Sequence, residues 1–178
     1  MLFRSAEMKG IKETPEGLEI GALTKLVEIE RNPVVKAKFR VLAEAAAKVA
    51  SPQIRNNGTL GGNASQDARC LYYRYGLPCY RAGGNTCYAD TPEGVNREHA
   101  LFHTDRCVAV SPSDCAPALV VLDAQFVLRS SKGQRVVNAE QFFIGPKVDI
   151  TKMTSARPEE ILVAIRIPNT FEIGRAHV

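Results

Sequence analysis

Ile54-Arg55-Asn56-Asn57-Gly58-Thr59-Leu60-Gly61-Gly62-Asn63 packs three Gly and three Asn into ten residues, directly after a helical segment. Glycines permit positive φ and close approach of a ligand to the backbone, so successive N–H groups can converge on an anion. Thr59, Asn63 and, just beyond, Ser65 add side-chain donors suited to a diphosphate. No Gly-Lys-Ser/Thr occurs, so the stretch is not a Walker loop, and it fails the Gly-x-Gly-x-x-Gly spacing of a dinucleotide turn. On composition alone an ordinary multi-turn loop remains open as a reading.

Upstream, Leu18–Leu23 reads as a short strand running into a turn. Thr24 is placed to cap a helix through Leu26, Val27 and Ile29, which Asn32-Pro33 ends. Val35, Phe39, Leu42, Ala46 and Val49 then recur at steps of four, three, four and three, the pattern of one apolar face on a single helix. Lys36, Lys38, Arg40, Glu44 and Lys48 fill the solvated positions, and Ser51-Pro52 stops the run because proline disfavours the α region before it.

Downstream, residues 52–107 are rich in Gly, Asn, Arg, Tyr and Cys and show no sustained period. So long an irregular stretch needs something other than an apolar core to organise it. Regular structure resumes with Cys107–Asp114, where Asp114 or Ser113 is positioned to cap a helix over Cys115–Leu122. Alternation from Ala124 to Arg129, a turn at Ser130–Gly133 and Gln134–Val137 read as a hairpin, and Ile161–Ile167 as a last strand ending at Pro168. Strands without intervening helices imply an antiparallel sheet.

The chain has 178 residues, 45% apolar and 24% charged, which suits one domain with a sizeable core. A net charge of +4 without long charged blocks points to neither nucleic acid nor membrane surface. The longest apolar run, Ala116–Leu122, falls far short of the about 20 residues a membrane helix needs. Met1-Leu2-Phe3-Arg4 opens no apolar h-region, so a secretory signal is not expected. Of the five cysteines, Cys70, Cys79, Cys87 and Cys107 crowd together with eight, seven and nineteen residues between them. No Cys-x₂₋₄-Cys pair of the zinc-finger type exists. Zinc, an iron–sulfur cluster and free thiols are equally compatible with the spacing, and disulfides require an oxidising compartment.

Residues 18–168 resemble the FAD-binding (medium) subunit of the xanthine dehydrogenase and molybdenum hydroxylase family. The resemblance rests on Leu18–Ala22, Ser51–Asn63, Ser111-Pro-Ser-Asp114 and Pro158–Pro168, in that order and spacing. It implies an α+β fold: the second subdomain of a PCMH-type (VAO-like) FAD-binding domain, an antiparallel sheet flanked by helices, with a remnant of the N-terminal α/β subdomain. It maps the family's Thr-x-Gly-Gly-Asn diphosphate motif onto Thr59, Leu60, Gly61, Gly62 and Asn63, with the flanking Gly58 and Ser65 as further candidate cofactor-binding residues. It maps the acidic flavin-nucleotide contact onto Asp114, and the apolar cover of the flavin onto Ile161 or Leu162.

One branch of the family, the aldehyde oxidoreductase type, carries a 4Fe-4S cluster on an insertion in this subunit. Arg69–Arg74, Pro78-Cys79, Gly83–Cys87, His99–Phe102 and Cys107–Ala109 are similar to that insertion. The resemblance thus implies Cys70, Cys79, Cys87 and Cys107 as cluster ligands and Cys115 as a buried thiol. Of two roles open to Tyr72 and Tyr73, shielding the cluster or filling the core, the core is favoured. His99 and His103 are read as structural, because four cysteines already complete the site.

The implied function is electron transfer. A large molybdopterin-binding subunit oxidises the substrate, a small 2Fe-2S subunit relays electrons, and FAD on this subunit hands them to an external acceptor. No catalytic residue, nucleic acid or membrane insertion is expected here. The compartment is cytoplasmic, or periplasmic if export runs on a partner. A small zinc-binding interaction module, built on the same four cysteines and without redox activity, is the alternative. Against the family pattern the chain reads as a partial FAD-binding domain over 1–171, with the iron–sulfur loop at 64–110 and a non-native tail at 172–178. The family's first glycine loop has no counterpart before Leu18, so weak or no FAD retention is expected of this stretch alone.

Overall fold

The computed structural model describes residues 5–102 and 104–169. Phe171, the tail 172–178 and His103 lie outside the described residues. The backbone divides into two units. The first comprises residues 5–64, Asp114–Phe142 and 156–169, the second Ser65–Ser113 and Phe143–Ser155.

The first unit is a five-stranded antiparallel sheet with helices. Its strands are β1 (Ile11–Thr14), β2 (Gly17–Gly21), β3 (Gln125–Ser130), β4 (Gly133–Asn138) and β5 (Ile161–Pro168), in the order β1-β2-β5-β3-β4. The last strand in sequence therefore lies in the middle. Ile11, Ile20, Ile165, Phe126 and Val137 are successive cross-strand partners, forming one apolar row across all five strands. Ile20, Ile165 and Phe126 are fully buried, each contributing about 1.5–3 kcal/mol. The next row, Glu19–Arg166–Gln125, faces water and carries an ion pair of 2.7 Å between Glu19 and Arg166. The edges β1 and β4 are mostly polar and exposed, which discourages pairing with another chain.

Helices complete this unit: α1 (Leu26–Arg31), α2 (Pro33–Lys38), α3 (Arg40–Lys48), α4 (Pro52–Arg55) and α5 (Leu60–Ala64), with α7 (Ala116–Val121) and α8 (Ala139–Phe142) following the second unit's α6 (Leu71–Arg74) in the chain. Together with α6 these are all the α-helices among the described residues. Phe126 of β3 stacks on Phe142 of α8 with ring centroids 4.0 Å apart.

Several sequence expectations are corrected. The helix expected across Val35–Val49 is two helices, broken at Phe39 (φ −131°, ψ 47°), yet all five apolar positions remain buried. Thr24 does not cap α1. It is fully buried, and its hydroxyl both accepts from Gly10 N–H and donates to Gly10 C=O. Lys25 occupies the cap position instead. Strand β1 was not anticipated, and Cys107–Ser113 form no regular element.

The second unit holds α6, a 3-10 turn at Tyr80–Ala82 and otherwise irregular chain. Its centre is the Arg81 guanidinium, whose residue is only 5% exposed. Arg81 donates to Ile150 C=O at 3.0 Å and pairs with Asp67, which also accepts the Tyr73 hydroxyl at 3.0 Å. Among the described residues no helix is long and apolar enough to cross a membrane.

Candidate functional site

The glycine stretch is held against the end of β2 by a short run of backbone pairing. Leu26 N–H donates to Gly58 C=O, Leu60 N–H to Thr24 C=O, and Lys25 bridges Thr59 antiparallel. Gly61 N–H then donates to Ala22 C=O at 2.9 Å, and Ala22 N–H donates to Val163 C=O at 3.0 Å. Val163 is free to accept because β5 bulges there: Val127 pairs with Ala164 but Leu128 with Leu162. A Cβ on Gly61 would lie 2.8 Å from both the Cβ and the carbonyl oxygen of Ala22, so the close approach requires glycine.

These bonds change the reading of the loop. The N–H groups of Leu60, Gly61, Gly62 and Asn63 are committed to Thr24, Ala22, the Thr59 hydroxyl and Thr59 C=O. They do not converge on an anion as the sequence suggested. Asn63, expected as a ligand donor, is buried and turned inward. Its Nδ2 donates to Asp114 Oδ2 at 3.0 Å, and its Oδ1 accepts Cys115 N–H at 3.1 Å. Asn63 thus ties down the start of α7. The cap position itself is Cys115, rather than the Asp114 or Ser113 expected from sequence.

Outward-facing chemistry remains at three of the expected positions. Gly62 is exposed, and a Cβ there would meet only the Thr59 hydroxyl oxygen at 3.0 Å. The Thr59 hydroxyl accepts one N–H and keeps its own hydrogen to donate. Asp114 is exposed, with one carboxylate oxygen held by Asn63 and the other available. A glycine without a Cβ allows a nucleotide to approach closely, the hydroxyl can donate to a phosphate, and the oriented carboxylate can accept from a sugar hydroxyl. Gly58 is half-buried and Leu60 buried. Ser65, the first residue of the second unit, is exposed.

At the start of β5, Ile161 is exposed and Leu162 half-buried against the cluster of Met8, Ala22, Val127 and Val163. Glu160 fixes this entry. Arg135 grips it through two bonds of 2.6 and 2.8 Å, and Arg157 N–H adds a third at 2.9 Å. The Arg135 hydrogen bonds, against the opposing effect of burial, lower the Glu160 carboxyl to about 2. Nothing in the sequence marked this pair, whose partners lie on separate elements.

In the second unit, Cys70, Cys79, Cys87 and Cys107 all line one cavity, together with Tyr72, Tyr73, Arg81 and His99. Burial pushes the Cys107 thiol up; an N–H from Ala109 and the Arg81 charge oppose this, while Cys87 and Cys79 reinforce it. The 3-10 turn after Cys79 closes on Gly83 (φ +87°), and Gly84 N–H returns to Cys79 C=O at 2.8 Å. A Cβ on Gly84 would sit 1.8 Å from Pro78 C=O, so this cysteine turn also needs its glycine.

Tyr72 and Tyr73 wall the cavity rather than fill a core. Arg81 Nε and both ring nitrogens of His99 are buried there without a hydrogen-bond partner. Among the described residues, no three His, Cys, Asp or Glu side chains are close enough to share one metal ion. A single tetrahedral zinc would require thiolates about 4 Å apart, given Zn–S bonds of about 2.3 Å. A larger inorganic cluster tolerates a wider ring of thiols, and orphaned donors beside it are what such an electron-rich group would satisfy. Cys115 stands apart in the first unit, fully buried and pushed up to about 12 by burial, with Asp114 adding to it.

Residues 2–170 match the family model described as the FAD binding domain in molybdopterin dehydrogenase. The aldehyde oxidoreductase FAD-binding subunit PaoB of Escherichia coli strain K12 is 35% identical over 166 residues, covering 91% of this chain and 51% of that protein. The carbon monoxide dehydrogenase medium chain of Hydrogenophaga pseudoflava is 32% identical over 166 residues, covering 93% of this chain and 41% of its own. The solved structure of that carbon monoxide dehydrogenase, in a form lacking the Mo-pyranopterin moiety, superposes with a TM-score of 0.61 at 28% identity over 94% of this chain and 42% of the other. The chain thus spans about half, or less, of the length of these relatives.

Proposed function

From the premise that this chain belongs to the family of FAD-binding domains in molybdopterin dehydrogenases, we propose that it is the flavin-holding part of an electron-transfer subunit. In this reading it serves a molybdenum-containing dehydrogenase of aldehyde or xanthine type, taking electrons from iron–sulfur clusters and passing them through FAD to an external acceptor. FAD supplies the exchange between paired and single electrons. Within the chain, the Thr59 hydroxyl and the Asp114 carboxylate would bind the nucleotide, and Gly62, lacking a Cβ, would let it approach closely. Asn63 would hold Asp114 in place, and Gly58, Leu60 and Gly61 would set the loop on β2. Ile161 and Leu162 would cover the flavin. The carrying observation is the Asn63 clamp, which orients one carboxylate oxygen of Asp114 and leaves the other exposed beside the family's glycine motif.

The reading extends to a 4Fe-4S cluster on Cys70, Cys79, Cys87 and Cys107. Its support is the single cavity that all four thiols line and the orphaned nitrogens beside them. The partners would be a large molybdopterin-binding subunit and a small 2Fe-2S subunit.

The test is anaerobic purification of the full subunit with its partner subunits, followed by flavin, iron and acid-labile sulfide analysis and a visible spectrum. One flavin, and four irons and four sulfides on this subunit, are expected. A subunit without flavin would overturn the flavin assignment. One zinc, and no iron or sulfide beyond what the small subunit carries, would replace the cluster with the four-cysteine zinc module.

A further inference from the structure

The four thiols surround a place where negative charge would accumulate, and the chain has buried one full positive charge beside it. Arg81 lines the cysteine cavity, and its side chain is only 2% exposed. Burying a guanidinium costs several kcal/mol unless its partners compensate. Asp67 and the carbonyl of Ile150 take up the far end of the fork. Asp67 is itself more than half exposed and so is screened by water. The Nε–H has no acceptor at all. An unmet donor on a buried cation is costly in a chain that could have placed an apolar residue there. The Tyr73 ring lies beneath the guanidinium at 5.3 Å, and Tyr73 donates to Asp67, so the group is held from two sides.

We propose that Arg81 is the charge-compensating residue of the cluster site: its guanidinium, aligned by Asp67, Tyr73 and Ile150, offers the unpaired Nε–H and a buried positive charge to the sulfur atoms of the thiolate-bound cluster and stabilises its reduced state. This inference rests on the cluster reading above. The physical reason is general. Net charge and hydrogen bonds to sulfur set the potential of an iron–sulfur centre, and adding one electron raises its negative charge by one. A buried cation with a free N–H favours the reduced form more than the oxidised one. No proton moves, and the electron comes from the external reductant.

The experiment uses the full subunit, purified anaerobically as wild type, Arg81→Gln and Arg81→Lys. Iron and sulfide content, a thermal melt and a dithionite redox titration followed by low-temperature EPR are measured on each. Arg81→Gln should shift the reduction equilibrium at least tenfold toward the oxidised form, a fall of about 59 mV for a one-electron couple. Arg81→Lys, which restores charge but not the fork, should recover part of that shift. If Arg81→Gln takes up no iron, the comparison passes to Arg81→Lys, for which a several-fold shift is expected. A variant that binds the cluster with an unchanged potential overturns the inference and leaves the cluster reading intact. Wild-type protein without iron and sulfide overturns the cluster reading itself.

Discussion

Asn63 accepts the backbone N–H of Cys115 at 3.1 Å through the same side-chain amide that donates to Asp114 at 3.0 Å. One residue thereby ties down the start of a helix far away in sequence and orients the carboxylate in front of it. Both functions need an amide, with an acceptor on one side and a donor on the other. Asn63→Ala should destabilise the subunit by about 1–3 kcal/mol, because a buried N–H loses its acceptor. Asn63→Asp keeps the acceptor but sets a second carboxylate against Asp114. The pair cannot both ionise comfortably, so one carboxyl rises in the folded state. A raised folded value gives stability that is present at low pH and lost as pH rises through it. Denaturant melts from pH 4 to 8 should therefore show Asn63→Asp approaching wild type at the acid end and weakening toward neutrality. A constant deficit would show that the two carboxylates do not interact.

The two neighbouring glycines separate folding from binding. Gly61→Ala places a Cβ 2.8 Å from Ala22 backbone and side chain, where neither can retreat without moving β2. A loss of about 1–3 kcal/mol is expected from overpacking. Gly62→Ala meets only a rotatable hydroxyl and gains helix propensity, so its melting temperature should be unchanged or slightly higher. If the flavin phosphates approach this backbone, Gly62→Ala should nevertheless lose flavin. Flavin content and melting temperature measured together decide the point, and full flavin retention by Gly62→Ala would place the phosphates elsewhere.

The apolar rows and the helix face were legible because they are local and periodic. Ile20, Phe126 and Ile165 show up in alternation, and Val35 through Val49 in steps of three and four, whether or not the helix breaks at Phe39. What escaped was non-local. The bond that holds the start of α7 comes from Asn63, the hydroxyl of Thr24 goes to Gly10, and the Glu160 clamp comes from Arg135 on β4. No short window of sequence contains both partners of any of these bonds. Strand β1 escaped for a different reason: at an exposed edge, Lys12, Glu13 and Thr14 carry no apolar alternation to read. The cysteine loop was legible in its ligand candidates, but not in Arg81, whose partner Ile150 comes from a distant segment.

Glu160 gives the chain a specific acid sensitivity. Its carboxyl is held at about 2, chiefly by Arg135, against a usual value of 4.5. A folded value below the unfolded one contributes stability that is present above the unfolded value and lost as pH falls toward the folded one. Stability should therefore decline between about pH 4.5 and 2 in wild type, and Glu160→Gln should flatten that part of the profile. At neutral pH the same substitution should cost about 2 kcal/mol, as expected for hydrogen bonds to a charged group. Urea midpoints across this pH range check both. An unchanged acid slope in Glu160→Gln would assign the decline to other carboxylates.

The five cysteines should separate by reactivity in iron-free protein. The thiolate is the reacting species, so a thiol pushed up to about 12 offers roughly one part in ten thousand at pH 8. Cys115, fully buried as well, should resist iodoacetamide until the protein unfolds. Cys70 and Cys87 are half-buried and should label first; Cys79 and Cys107 are buried and should follow. Loading with iron and sulfide should protect those four together if they are ligands, while Cys115→Ala should leave iron content unchanged. Peptide mass spectrometry over a labelling time course reads each site separately. Early labelling of Cys115 would show that α7 opens readily at its N-terminus, and protection of only some of the four would remove the unprotected ones from the ligand set.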